Sequence, residues 1–220
     1  SRSSDELYAY LTRSRPDLCI LKGEEEEEGE ADREEEEFVL IKGMPQASKP
    51  RRGLGESTDI LEASHVRELS KELPPRTIGH SWTLAYSTSR HGASLKTLYR
   101  KLSASDSPVL IVIKDALDEI FGAFLSHPLR PSETFYGTGE TFLFMLHPRY
   151  KCFRWTGENS FFIKGDLDSF AIGGGSGHFG LWVDENLYLG RSSPCFTFNN
   201  CCLSETDDFR IMDLEAWTFS

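Results

Sequence analysis

The sequence lacks the features that identify membrane, glycosylated or metal-binding proteins. No apolar run among its 220 residues approaches the roughly 20 that a helix needs to cross a bilayer. No N-x-S/T glycosylation acceptor occurs, and the six histidines form neither an H-E-x-x-H nor an H-x₃-H pattern. We therefore expect no membrane insertion, no metal and no cofactor.

Outside one segment the chain also has little net charge. The formal charge is -11, and residues 24–37 hold eleven acids and one arginine, so the remainder sums to about -1. A nearly neutral domain argues against nonspecific binding to nucleic acid, which needs a basic patch. We predict a disordered acidic leader and linker at 1–56 and a folded domain at 57–220. The apolar island Phe38-Val-Leu-Ile41 is either a docking motif or a weak contact with the domain.

Cysteine is sparse, and its five positions do not form a metal-binding pattern. Cys201 and Cys202 are adjacent, which is not the spacing of a zinc site. An odd count without glycosylation acceptors indicates reduced thiols in a cytosolic or nuclear protein. A redox-sensing pair is the alternative interpretation of the two adjacent residues.

What the chain does contain is β-forming sequence. Val109–Ile113 is entirely apolar, so we expect both faces of that strand to be buried. Two helices are predicted, at Ala63–Leu73 and Ser94–Leu102, with Ser94 as the N-cap of the second. The apolar phase slips within the last strand, Phe209–Phe219, which predicts a β-bulge. Eight or nine short strands with two helices predict a mainly β fold, a two-sheet antiparallel β-sandwich flanked by short helices.

The most informative stretch is Tyr136–Thr156, a predicted β-hairpin whose first strand is preceded by a glycine-containing loop. Gly137 and Gly139 flank Thr138, which indicates a backbone conformation that side chains resist. Glu140 follows them at the start of the strand. We expect its carboxylate to hold the loop by binding backbone N–H groups or by pairing with Arg154 or Lys96, with a binding or catalytic role as the alternative.

Two other patterns indicate chemistry only weakly. Gly175-Ser-Gly-His-Phe-Gly180 matches G-x-G-x-x-G, but an apolar strand follows it where a dinucleotide site needs a helix, so a glycine loop is the simpler interpretation. Ser94, His91 and Glu140 provide the residue types of a hydrolase triad. However, Ser94 lacks the flanking glycines of a nucleophile elbow, and an N-cap role already accounts for it.

Several motifs together resemble the TLDc domain of the oxidation-resistance and nuclear-receptor-coactivator proteins, in a short stand-alone form, over about residues 57–220. The matching motifs are Ser94-Leu-Lys-Thr-Leu-Tyr-Arg100, Tyr136-Gly-Thr-Gly-Glu-Thr-Phe142, Trp155-Thr-Gly-Glu-Asn159, Gly180-Leu-Trp182, Gly190-Arg-Ser192, Thr197-Phe-Asn-Asn200 and Asp213-Leu-Glu-Ala-Trp217. The resemblance implies two packed sheets flanked by helices.

The resemblance also implies a function. We expect a monomeric, non-enzymatic domain that binds the peripheral sector of the vacuolar proton-pumping ATPase, modulates its assembly or activity and so contributes to oxidative-stress resistance. The expected location is cytoplasmic, with the nucleus or the cytosolic face of acidic organelles as alternatives. The predicted partner-binding residues lie in two loops: Gly137, Thr138, Gly139 and Glu140, and Gly173, Gly174 and Gly175.

Two rival functions remain open from the sequence. One is an enzyme that protects directly against oxidative damage, using either the Ser94, His91 and Glu140 set or a reactive thiol. Cys195, in a loop after Pro194, is the better thiol candidate because Cys152 lies within a predicted strand. The other is nuclear coactivation, which the absence of an L-x-x-L-L box disfavours.

Overall fold

The computed structural model describes residues 58–220, so the predicted acidic leader and Phe38–Ile41 lie outside the described part. Within this part the helices are α1 (Ala63–Ser70), α2 (Thr88–His91) and α3 (Leu95–Leu102), with a 3-10 turn at Pro75–Thr77. The strands are β1 (Trp82–Ser87), β2 (Val109–Asp115), β3 (Ile120–Leu125), β4 (Phe142–His147), β5 (Lys151–Phe153), β6 (Ile163–Gly165), β7 (Ser169–Ile172), β8 (Leu181–Asp184), β9 (Leu189–Arg191) and β10 (Asp208–Phe219).

The long strand β10 connects two antiparallel sheets. Its C-terminal half pairs with β1 on one side and with β2 on the other, and β3, β4 and β5 continue this first sheet. Its N-terminal residues, Asp208–Arg210, pair with β9, and β8, β7 and β6 continue the second sheet. The prediction of a mainly β, antiparallel fold flanked by short helices is confirmed.

The main core lies between the two sheets. Ile111 and Leu143 of the first sheet and Phe170 and Val183 of the second belong to one buried cluster, together with the apolar side of α3. The first sheet is also covered on its other face, where α1 packs against Leu110, Val112 and Phe144. This two-sided burial is why β2 is a continuous apolar run without alternation. No helix within residues 58–220 is long and apolar enough to cross a membrane.

Three local predictions can be compared directly with the structure. Ser94 caps α3, because its hydroxyl accepts a hydrogen bond from the Thr97 N–H at 3.3 Å, as predicted. The register of β10 shifts between Ile211 and Asp213, which confirms the predicted bulge. The helix predicted at Ala63–Leu73 ends three residues early, at Ser70. Leu73 precedes a proline, which disfavours the helical conformation at that residue.

The hairpin also differs from its prediction at one end. The hairpin predicted at Tyr136–Thr156 has its return strand continuing to Thr156, but β5 covers only Lys151–Phe153. After Phe153 the chain leaves the sheet, because the Thr156 N–H donates to the carbonyl of Thr197, in a distant loop, at 2.9 Å. This departure places Trp155 on the surface of the domain.

The turn between β2 and β3 buries two carboxyl groups, Asp115 and Glu119, which are 1% and 3% exposed. Oδ1 of Asp115 accepts hydrogen bonds from the N–H groups of Leu117 and Glu119, each at 2.9 Å. Burial, followed by the interaction with the neighbouring Asp115 carboxyl, raises the pKa of Glu119 to about 10. Glu119 therefore retains its proton in the folded protein at neutral pH.

This buried proton predicts a pH-dependent stability. Because the folded-state pKa of Glu119 is raised, its contribution is complete below its ordinary pKa of 4.5 and is lost as pH rises through about 10. Glu119→Gln needs no proton and keeps an oxygen for the Glu205 N–H. Between about pH 5 and 9 we expect the stability of the variant relative to the parent to increase with pH, by roughly 1 kcal/mol per pH unit at most.

Urea unfolding at several pH values measures this difference. Glu133→Gln, at an exposed position, is the matched control and should follow the parent at every pH. A constant difference between Glu119→Gln and the parent across this range would contradict the proposed proton retention.

Candidate functional site

The loop at Gly137–Glu140 is held in place by Ser126, the residue that follows β3. The Ser126 hydroxyl oxygen accepts a hydrogen bond from the Thr138 N–H at 2.9 Å, and the Thr141 N–H donates to the Thr138 carbonyl at 3.1 Å. Gly137 has φ +100°, so the strained backbone expected from the sequence is present at this position. The loop is therefore ordered by one internal backbone hydrogen bond and by the Ser126 side chain.

Glu140 pairs with a residue that the sequence did not indicate. Both carboxylate oxygens lie 3.1 Å from Nε of Arg76, and the same guanidinium donates to the Ser126 carbonyl at 2.7 Å. The predicted partners were wrong: Arg154 pairs instead with Glu72, and Lys96 is not the partner. Since about a third of the Glu140 side chain is exposed, we assign the pair to loop positioning and expect little effect on stability.

Gly139 is required for a different reason from Gly137. A Cβ atom at this position would lie 2.3 Å from Cε3 of Trp155, so only glycine allows the indole ring to cover the loop. The ring also packs edge-on against Phe162, with centroids 5.4 Å apart. Its Nε1–H donates to the Asn159 carbonyl at 2.7 Å, which fixes the turn that follows.

That turn reaches the second predicted loop. The Asn159 side-chain amide donates to the Gly174 carbonyl at 3.3 Å, and its oxygen accepts from the Thr197 hydroxyl at 2.7 Å. The same hydroxyl oxygen accepts from the Gly174 N–H at 2.9 Å. The two loops that the sequence predicted separately are therefore connected through Trp155 and Asn159 into one surface, which we call the joined-loop surface.

Aromatic side chains are exposed on and beside the joined-loop surface. Phe161 and Phe196 are 44% and 50% exposed, and both contact the glycine loop at 173–177. Phe135 connects Phe161 to Phe179, with ring centroids at 5.1 and 6.4 Å. Sequence reasoning missed these four residues, because a phenylalanine in a β-rich chain is most readily interpreted as a core residue. No local sequence signal distinguishes them from the phenylalanines of the core.

The three residues of the candidate hydrolase triad each have a separate structural role. Ser94 caps α3, and its N–H donates to the Tyr86 hydroxyl at 3.2 Å. Nδ1 of His91 accepts from the Ser87 N–H at 3.0 Å, and its ring stacks on Tyr86. Glu140 is bound to Arg76. None of these contacts orients a base toward a nucleophile.

The thiol candidate from the sequence, Cys195, is also poorly placed for peroxide chemistry. Cys195 is 3% exposed, and its Sγ–H donates to Oδ1 of Asn200 at 3.2 Å. Burial raises the pKa values of Cys195 and Cys202, and it raises that of Cys152 to about 12. A raised pKa reduces the thiolate fraction that peroxide reduction requires.

The glycine motif at Gly175–Gly180 lies in a loop between two strands. Gly175–Gly180 connects the antiparallel neighbours β7 and β8, so the G-x-G-x-x-G pattern does not open a helix and is not a dinucleotide loop. Across residues 58–220 there is no cluster of three or more histidine, cysteine or acidic side chains that could hold a metal ion.

Fold and site together define a class of protein: a two-sheet β domain that presents a rigid, aromatic loop surface. The TLDc domain family model matches residues 54–220, so the chain belongs to the TLDc domain family. It is 50% identical over 183 residues to oxidation resistance protein 1 of Homo sapiens, covering 83% of this chain and 21% of that protein. It is 56% identical over 160 residues to nuclear receptor coactivator 7 of Homo sapiens, covering 73% of this chain and 17% of that protein.

A third relative, oxidation resistance protein 1 of Xenopus tropicalis, is 53% identical over 179 residues, which is 81% of this chain and 21% of that protein. The chain thus spans about a fifth of the length of these curated relatives. The similarity therefore concerns a domain-sized part of each relative, and it does not transfer the activities of the whole relatives to this chain.

Proposed function

We propose that this chain is a non-enzymatic interaction domain that binds the peripheral sector of the vacuolar proton-pumping ATPase and modulates its assembly or activity. Its contribution to oxidative-stress resistance would follow indirectly, through the acidity of the compartments that the pump serves. Membership of the TLDc family and the names of the oxidation resistance relatives support the second part of the proposal.

The observation that carries the proposal is the joined-loop surface. Its polar atoms are largely consumed in internal hydrogen bonds, whereas aromatic side chains remain exposed on it. Exposed aromatic groups on a rigid scaffold are typical of protein interfaces, where tryptophan and tyrosine often contribute most of the binding energy. The candidate catalytic residues, by contrast, are occupied in capping, loop positioning and core packing.

The test combines the 220-residue protein with isolated vacuolar ATPase in membranes. Membranes are sedimented with and without ATP, and both the bound protein and the released peripheral sector are quantified. Without ATP we expect the protein to co-sediment with the membranes, and any peripheral sector that is released should carry bound protein into the supernatant. Release of the peripheral sector on ATP addition identifies a disassembly factor, whereas binding without release identifies an inhibitor or a tether. Absence of binding at micromolar concentration would refute the proposal.

A control separates this function from direct peroxide chemistry. The parent protein and Cys195→Ala are incubated with peroxide and a thiol reductant. We expect the same background consumption from both. Turnover by the parent that is lost in Cys195→Ala would support the enzymatic alternative.

A further inference from the structure

The second sheet has an apolar groove on its outer face, which borders the joined-loop surface at Gly177. Trp182 of β8 and Leu189 of β9 point to this face, and Phe179 closes one end. The cavity has a volume of about 580 Å³, which suits a few apolar side chains and not a folded domain. Leu189 is 49% exposed, an unusual position for a leucine in a strand.

The rim of the groove does not select for charge. Arg191 lies opposite Trp182 in the β8–β9 register, and its Nε is 2.6 Å from Oδ1 of Asp208 on β10. These two charges neutralise each other. His178 and Ser193 are the other polar residues of the lining, and the remainder is apolar side chains and glycine, so the groove favours a mainly apolar occupant. The first sheet has α1 over its outer face, but no described helix covers this part of the second sheet.

The start of the described chain lies close enough to the groove for the preceding residues to reach it. The Thr58 hydroxyl donates to Oε1 of Glu215, and the Asp59 N–H donates to Oε2, so the start of the described chain is fixed to β10. From Glu215 the same strand runs back to Asp208 at the groove rim, a span of about 23 Å at roughly 3.3 Å per residue. Along this path Met212 and Arg210 are exposed.

The sixteen residues 42–57 precede this fixed point, and before them lies Phe38-Val-Leu-Ile41. A flexible chain of sixteen residues has a root-mean-square span of about 20–24 Å, close to the distance from Glu215 to the rim. The effective concentration of a tethered segment is greatest when its linker length matches the span in this way. Leu18-Cys-Ile-Leu21 is also apolar but is separated by a much longer tether.

We propose that the groove formed by Phe179, Trp182 and Leu189 is the docking site of this chain's own segment Phe38–Ile41. Its four consecutive apolar side chains match the apolar lining, and the acids at 34–37 remain outside in solvent. A protein partner that used this face would have to displace the segment. The contact is intramolecular and does not depend on any partner of the joined-loop surface.

Site-specific photocross-linking of the full chain tests this contact. Phe38→p-benzoylphenylalanine places a photoreactive ring in the segment, and mass spectrometry locates the cross-links after irradiation. We expect intramolecular cross-links concentrated in residues 179–191. Leu18→p-benzoylphenylalanine is the matched control and should give at least about fivefold less cross-linking to the same residues.

A second substitution tests the groove side. Leu189→Asp changes an exposed side chain, so the fold should be unaffected, and it should reduce the Phe38 cross-link by about fivefold or more. Cross-links only between two chains, increasing with protein concentration, would assign the groove to a second copy and overturn the proposal. Cross-links spread evenly over the domain, or unaffected by Leu189→Asp, would also overturn it.

Discussion

Gly122→Ala is expected to destabilise the domain by about 3 kcal/mol or more. Gly122 lies in the centre of β3, paired with Val112, and a Cβ atom there would be 1.9 Å from the carbonyl oxygen of Ile111. That oxygen belongs to the backbone of the central strand β2, which cannot move without separating β2 from β10. The substitution therefore forces the most buried part of the first sheet apart.

Chemical denaturation monitored by circular dichroism measures this effect. Gly174→Ala is the control, because its nearest contact would be Cβ of Phe161 at 3.2 Å, which has to yield by only a few tenths of an ångström. We expect a cost of about 1 kcal/mol or less for the control. Similar costs for the two variants would show that the close approach at β3 is not the reason for glycine there.

Trp155→Ala is expected to weaken binding to the vacuolar ATPase by at least about tenfold, or about 1.4 kcal/mol. The indole covers Gly139 and fixes the Asn159 turn, so its loss removes an exposed aromatic contact and also the connection between the two loops. Because the side chain is 43% exposed, we expect the fold to persist. The measurement is the co-sedimentation assay with a titration of the protein.

Met212→Ser is the matched control for this prediction. Met212 is apolar and 54% exposed, but it lies at the bulge of β10, away from the hydrogen bonds that join the two loops. Binding should be unchanged within about twofold. Equal losses in both variants would indicate general surface hydrophobicity in place of a defined site.

Local features of the fold were predictable from sequence because their causes are local. The Ser94 cap depends on residues three positions apart, and the β10 bulge is visible as a slip in the apolar alternation. The continuous apolar run of β2 indicated burial on both faces, which the structure confirms. Patterns within a few residues of each other are enough for each of these conclusions.

The site was only partly predictable, because its contacts join residues far apart in the chain. Glu140 pairs with Arg76, 64 positions away, whereas sequence reasoning sought partners at Arg154 or Lys96. The Thr197 hydroxyl, 38 positions from Asn159, completes the connection between the loops. Glycine in both loops indicated functional loops. The reason for Gly139 is that the indole of Trp155 packs against it, and this contact is visible only in the structure.

The same limit applies to the reactive residues. Cys195 follows a proline in a loop, which suggested an accessible thiol, yet the loop folds inward and Gly173 and Gly180 both approach its sulfur atom. Loop position along the chain did not indicate burial in this case. The residues that the structure favours for binding are aromatic groups in the loops between strands.

Hydrogen–deuterium exchange of the 220-residue protein, alone and with the isolated peripheral sector of the vacuolar ATPase, tests the central claim most directly. Backbone amides at 137–140, 155–161 and 173–177 should become protected together on binding, because the joined-loop surface acts as one unit. Protection confined to other faces, with these three segments exchanging as in the free protein, would contradict the account.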